Sequence, residues 1–543
     1  MKKIKVAPFM TLLCIASIAY GLNINFGMPQ QKLMMAQQAI SQLYVDSVDE
    51  DKLAEDAIRG MLEKLDPHSS YSTAEETREL NEPLEGNFSG IGIVFNMTKD
   101  TLYVIQTVSG GPSERIGMVA GDRIIAVNDT NIAGVKMKNR DIMKRLRGPK
   151  GTTVNVTVLR LQDGGSDTIP FTITRDDIPI YSVDAAYMVD DKTGYIRLNK
   201  FAAETHKEVV DKLKELKKQG MTQLILDLTD NGGGYLQAAI DLLGEFLEPG
   251  KLAVYTEGLK SPRYDAFTSP SAMRKPLFAD GRLVIMANQY SASAAEITSG
   301  GVQDWDRGVV VGRRTFGKGL VQRPIPLPDG SMIRLTVAHY YTPTGRDIQK
   351  PYTKGDEDTY RKDIEDRFNH GELMHSDSVR YNDSLRYETL VKHRTVYGGG
   401  GIYPDRFVAL DTTEYTKYYR NVMAKGVFNK FAIQYVDAHR KELKKQYPTD
   451  DDYVRAFDVT PEMLREVKDM ADKEDVKYDE EEFTRSIPLM RMIIKSLIGR
   501  DVYDNETFFK VFNQHDPIFK EALQLINSQD YTTILSSPEK KKN

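Results

Sequence analysis

The sequence predicts a multidomain chain built on an α/β core, and three observations predict it. Between about 180 and 345, short apolar runs alternate with helical patterns: Gln223-Leu-Ile-Leu-Asp-Leu228, then a helix with Leu236, Ala239, Ile240, Leu242 and Leu243 apolar, then Leu283-Val-Ile-Met286 and Val309-Val-Val311. Buried strands separated by helices are the α/β signature. Residues of about 86–176 read instead as short strands and turns, and residues from about 413 onward as charged helices. A chain of 543 residues has room for roughly two to four such domains.

Composition narrows the function classes. Hydrophobic content is 40% and charged content 28%, that of a folded soluble protein behind any targeting segment. A net charge of −5 without a long basic stripe excludes a general nucleic-acid binder. The eight histidines are scattered and form no HExxH or Cys/His cluster, so a metal site is not expected.

The elements follow in order. Met1-Lys2-Lys3-Ile4-Lys5 and the apolar stretch at 6–22 make residues 1–27 a secretory signal or an uncleaved anchor. The stretch is short for a full span, which takes about 20 residues. Cys14 is the only cysteine and lies inside it, so the mature part has no thiol. That suits an exported protein without disulfides, periplasmic or anchored to the inner membrane facing the periplasm. Residues 28–85 are helical in pattern: Leu53, Ile58, Met61, Leu62 and Leu65 recur at helix spacing until Asp66-Pro67 stops them. In the module at 86–176, Gly90-Ile-Gly-Ile-Val-Phe95, Thr101-Leu-Tyr-Val-Ile105 and Val154-Asn-Val-Thr-Val-Leu159 read as strands, and Asp141 to Leu146 as a short helix. The core spans 177–348 and ends in a hairpin around Pro328-Asp329-Gly330. Residues 349–397 are a charged, turn-rich excursion, 398–412 a return to the core, and 413–543 a helical C-terminal region. There Ile487, Met490, Ile494, Leu497 and Ile498 form an apolar packing stripe closed by Gly499, and the tail with Lys540 to Lys542 reads as disordered.

The chemistry sits in three loops. Ser291-Ala-Ser293-Ala-Ala-Glu296 places hydroxyls on a strand-to-helix turn among small neighbours that let a carbonyl approach. Glu296, three residues after Ser293, has capping-box spacing. Thr315-Phe-Gly-Lys318-Gly follows, with Lys318 25 residues after Ser293. A serine needs a base, and a buried lysine can serve once neutral. Bringing its pKa near 7 takes about 4–5 kcal/mol of differential destabilisation of the charged form. Phe316, Leu320 and Val321 are apolar neighbours, and Gln322 can orient the amine without adding charge. The third loop, Asn231-Gly-Gly-Gly234, does not fit a nucleotide-binding fingerprint. Its backbone N–H groups can instead receive a developing oxyanion, with the N–H of Ala294 as a second donor.

These pieces together resemble the C-terminal processing peptidases, or tail-specific proteases. The family's serine motif resembles 291–296 with Ser293 as nucleophile. Its lysine motif resembles 315–319, with Gln322 four residues after Lys318, and its oxyanion loop resembles 227–234. Gly233 is the expected donor, with the choice among the three glycines open. Glu296, Asp304 and Thr315 match supporting positions, and Leu65-Asp66-Pro67-His68-Ser69-Ser70-Tyr71 is similar to the N-terminal signature. The likeness runs from about 44 to 344 and again over 398–405. It departs where Thr229 stands for the family's usual arginine, and in the length of 349–397 and 413–543.

The resemblance implies a crotonase-like ββα protease core with an inserted PDZ domain at 86–176, whose carboxylate loop is Gly90, Ile91, Gly92 and Ile93. Arg147 resembles a position that couples the two domains. It also implies an exported serine endopeptidase that acts through an acyl-enzyme, without a cofactor, on proteins with exposed apolar C-terminal tails. An adaptor protein and a homo-oligomeric copy stand as further partners, and nucleic acid does not. The competing reading is a PDZ adaptor or chaperone that holds tails without cutting, for which an intact Ser/Lys/Gln set has no use.

Overall fold

The computed structural model describes residues 27–98, 100–108, 110–162, 165–268 and 275–536. The expected signal or anchor at 1–27 and the lysine tail lie outside them, save for Gly27. Among the described residues no helix is long and apolar enough to cross a membrane.

The core is a six-stranded sheet in the order 183–188, 193–198, 223–227, 282–287, 309–312, 406–407. The first pair is antiparallel and the remaining neighbours are parallel. Parallel strands need both faces covered. Helices Thr205–Lys218, Leu236–Leu243 and Ala294–Asp304 cover one face, where Leu213, Leu226, Ile285 and Val302 join one buried cluster. The C-terminal region covers the other: Phe509, Ile518, Phe519 and Ile526 pack on Tyr195, Ile225, Val284 and Val311. A second sheet joins Ser70–Ser72, Leu252–Gly258, Ser261–Phe267, Leu320–Pro326 and Met332–Tyr341.

The module at 86–176 is β-rich as expected, with one difference. The run 90–95 is split by a turn at Ile91 and Gly92. Strand Asn87–Gly90 pairs with Asp176–Pro179, whereas Ile93–Thr98 pairs with Thr101–Thr107. Helix Asn139–Leu146 lies beside the latter strand across a narrow apolar groove lined by Ile91, Ile93, Phe95, Met143 and Leu146.

One expectation gains detail and one is corrected. Within the charged, turn-rich segment 349–397, helix Glu357–Asn369 forms and packs back on the core. Gly499 does not close its helix, which runs Glu480–Val502. A Cβ at Gly499 would stand 2.9 Å from both Tyr453 and Thr507, so this glycine permits close packing inside the helical domain. The apolar stripe on that helix is core: Met490, Ile494, Leu497 and Ile498 are buried with Phe428, Phe431 and Val467.

Candidate active site

Ser293 stands between strand Arg282–Ala287 and helix Ala294–Asp304. Its φ is 58° and ψ −115°, a conformation strained for a residue with a Cβ and held only by its surroundings. The Ser293 N–H donates to Glu296 Oε2 at 2.8 Å, and the preceding Ala292 N–H donates to Asn231 O at 2.9 Å. The competing hydroxyl is excluded from the cleft. Ser291 is fully buried, donates to Leu228 O at 2.7 Å and accepts from Asn288 N at 2.9 Å. Ser293 lines a cleft of about 650 Å³ together with Lys318, Gln322 and the glycine run.

The glycine run is wedged against the serine turn. At Gly233 φ is 96°, and a Cβ would lie 2.7 Å from Ser293 Cβ and 2.9 Å from Ala294 N. At Gly234 a Cβ would collide with Phe201 O at 2.0 Å. Only glycine allows the loop to come this close. One expectation changes here. The Gly233 N–H is not free, because it donates to Asn231 Oδ1 at 2.9 Å. Among the described residues the N–H groups of Gly232, Gly234 and Ala294 have no such partner. Gly233 shapes the pocket and its neighbours carry the available donors.

Glu296 ties the two motifs together. It is fully buried, and its carboxylate accepts from Thr315 Oγ1 at 2.5 Å, Gly317 N at 2.7 Å and Lys318 N at 2.9 Å, besides Ser293 N. Thr315 Oγ1 in turn accepts from Ile402 N at 2.6 Å, which joins the returning segment 398–412 to the site. Burial pushes the Glu296 carboxyl up, and these four donors oppose that shift.

Lys318 Nζ donates to Gln322 Oε1 at 3.1 Å. Gln322 Nε2 donates to the main-chain oxygen of His68, and Tyr340 donates its hydroxyl to Lys318 O. Burial holds the Lys318 amine below the ordinary lysine range. The Arg334 cation adds to this, and Glu296 and Asp66 oppose it. Among the described residues no hydrogen bond joins Lys318 Nζ to Ser293 Oγ, although both face one cleft. Such bonds are often loose before substrate binds.

The lowered pKa has a stability consequence. The unfolded chain binds more protons at Lys318 than the native chain does across the window between the two pKa values. The cost is therefore full below the native pKa and vanishes as pH rises toward the ordinary lysine value. Lys318→Met is expected to raise the urea midpoint of the core at about pH 7, with the gap closing by about pH 10. A constant gap would show that the amine is not desolvated.

The remaining predicted positions fall elsewhere. Asp304 is buried away from the cleft, where it accepts from Arg346 and from Thr344 N at 2.9 Å and Thr344 Oγ1 at 2.8 Å. It fastens the end of strand Met332–Tyr341 to the serine-bearing helix. Thr229, in place of an arginine, is served from the next strand: Arg197 Nη1 donates to Asp227 Oδ2 at 2.6 Å and Thr229 Oγ1 at 2.8 Å. Ile91, Gly92 and Ile93 line the apolar groove, while Gly90 ends the preceding strand and does not line it. Ile91 O accepts from Ser113 N at 3.1 Å and Ser113 Oγ at 2.6 Å. Strand Ile93–Thr98 is an outer strand of its sheet, an edge to which an extended peptide can add. Arg147 pairs with Glu82 and lies 4.5 Å over the Phe88 ring. It thereby links this module to helix Ala74–Glu85, whose Asn81 and Leu84 line the same cleft as Ser293 and Lys318. Arg334, Tyr340 and Asn81 carry no local signal in the sequence. They reach the site through strand pairing and helix docking.

The chain is similar to known proteins over several of its segments. Residues 192–359 match the family model of peptidase family S41, 89–174 that of the PDZ domain, and 23–77 that of the N-terminal domain of the activating protease CtpB. Residues 418–504 match a family of unknown function. The carboxyl-terminal-processing protease of Picosynechococcus sp. is 35% identical over 376 residues, covering 63% of this chain and 87% of that one. The carboxy-terminal-processing protease of Bartonella bacilliformis is 36% identical over 313 residues, 56% of this chain and 69% of that one. The solved photosystem II D1 C-terminal processing protease shares 27% identity over 61% of this chain and 92% of its own, with a TM-score of 0.33.

Proposed function

The chain belongs to peptidase family S41 as a PDZ-containing C-terminal processing serine protease, and on that premise we propose that it cuts exported proteins after capturing their apolar C-terminal tails, using a Ser293–Lys318 dyad. The observation that carries this reading is the shared anchor of serine turn and lysine loop on the buried Glu296 carboxylate, with Ser293 and Lys318 both lining one cleft.

Ser293 Oγ attacks the peptide carbonyl carbon while the neutral Lys318 amine takes its proton. The N–H of Ala294 and a free N–H of the glycine run receive the oxyanion. Lys318 returns the proton to the leaving amine, and water then releases the acyl-enzyme with Lys318 as base again. Gln322 holds the amine in line. The groove beside Ile93–Thr98 takes the substrate tail as an added strand, its terminal carboxylate at the 90–93 loop. The apolar N-terminal stretch supports export, with a periplasmic or membrane-anchored site of action.

Two denatured substrates that differ only in the last three residues, Leu-Ala-Ala against Asp-Asp-Asp, test the tail dependence. Cleavage of the first at least about tenfold faster is expected; equal rates would remove the groove from recognition. Binding without cleavage of either would favour the adaptor reading.

A further inference from the structure

We propose that the turn at 66–69 and the hydroxyl of Tyr360 position the lysine amine, acting through the side-chain amide of Gln322; this rests on the Ser293–Lys318 reading. A glutamine amide presents an oxygen at one end and two donors at the other. Reversed, it would set N–H groups against the amine. What fixes its sense here is the far end, where Gln322 Nε2 donates to the main-chain oxygen of His68. The aim of Lys318 Nζ therefore depends on where His68 stands.

His68 is gripped from two sides. On the inner side the Asp66 carboxylate accepts from His68 N at 2.9 Å, Ser69 N at 3.0 Å and Ser69 Oγ at 2.5 Å, and is itself moored by Thr336 Oγ1 at 2.8 Å. On the outer side Tyr360 OH lies 2.8 Å from His68 Nε2, the two rings edge to face at 5.2 Å. Gln349 Nε2 donates to the same hydroxyl at 3.3 Å, which leaves the tyrosine proton for the imidazole. Burial and the nearby Lys318 and Lys350 amines push His68 down to about 4, so the ring is a neutral acceptor and not a second cation beside the base.

Tyr360 belongs to helix Glu357–Asn369, within the segment that exceeds the compact family pattern. That segment also holds the lysine loop directly. Lys350 N donates to Gly317 O at 2.9 Å, and Arg367 Nη1 donates to Thr315 O at 3.1 Å. The excursion is thus the outer wall of the base, and Asp66, His68 and Tyr360 are positioning residues.

Tyr360→Phe keeps the ring and deletes only the hydroxyl. It is expected to lower kcat about tenfold with KM unchanged, and to slow fluorophosphonate labelling of Ser293, which needs no tail binding, by the same factor. In a Gln322→Ala background the same change is expected to do nothing further. A wild-type labelling rate for Tyr360→Phe, or an equal loss in both backgrounds, would overturn the inference. Failure of the wild-type protein to label at Ser293 would remove the dyad reading and this inference with it.

Discussion

Alanine at Lys318 is expected to abolish peptide-bond cleavage, lowering kcat/KM on the order of 10⁴-fold, without unfolding the chain. Lys318 shares the cleft with Ser293, no histidine lines that cleft among the described residues, and His68 Nε2 is bonded to Tyr360. Arginine there is expected to be equally inactive, because a guanidinium stays protonated and cannot accept the serine proton. The loss should not add to that of Ser293→Ala, since nucleophile and base act as one unit. Tail binding measured by fluorescence anisotropy should be unchanged in both variants, because the groove at 90–93 is a separate surface. Full cleavage by either variant would sink the dyad. The expected rise in stability on removing the amine and the loss of activity are one fact seen twice: a desolvated base costs the fold what it supplies to the reaction.

How much of this was legible in the sequence depends on distance along the chain. The serine turn was readable because its signals are local: a buried strand, small residues, and a glutamate at capping-box spacing. The glycine run was readable for the same reason, but the donor was not. The Asn231 side chain reaches two residues forward to occupy the Gly233 N–H, a choice that composition does not reveal. Arg334 and Tyr340 were silent because strand Met332–Tyr341 reaches the lysine loop only through its pairing with Leu320–Pro326. Helix Glu357–Asn369 was missed because hydrophobic periodicity is the main signal and this helix buries little beyond Tyr360 and Arg367. Ion pairs hold that segment instead: Arg367 and Arg314 share Glu372, at 2.9 and 2.6 Å. Gly499 misled for the opposite reason, since a glycine after an apolar stripe signals a helix end and here serves Tyr453.

Glu296 carries the second large effect. Each carboxylate oxygen accepts two donors, Thr315 Oγ1 and Gly317 N on Oε1, Ser293 N and Lys318 N on Oε2. Alanine would strand four buried donors, each costing about 1–3 kcal/mol with partial relaxation. A loss of about 3–5 kcal/mol from the core, with no measurable activity, is expected. Glutamine is the sharper test. In either orientation its NH₂ group faces two donors, so the serine turn and lysine loop separate and kcat falls at least about a hundredfold. Its electrostatic effect runs the other way. Glu296 favours the charged form of Lys318, so removing its charge lowers the amine's pKa further. The acid limb of the kcat/KM profile should therefore move to lower pH in the Glu296→Gln variant while the plateau drops. An acid limb that stays in place or moves up would mean that the group titrating in catalysis is not Lys318, however complete the loss of activity.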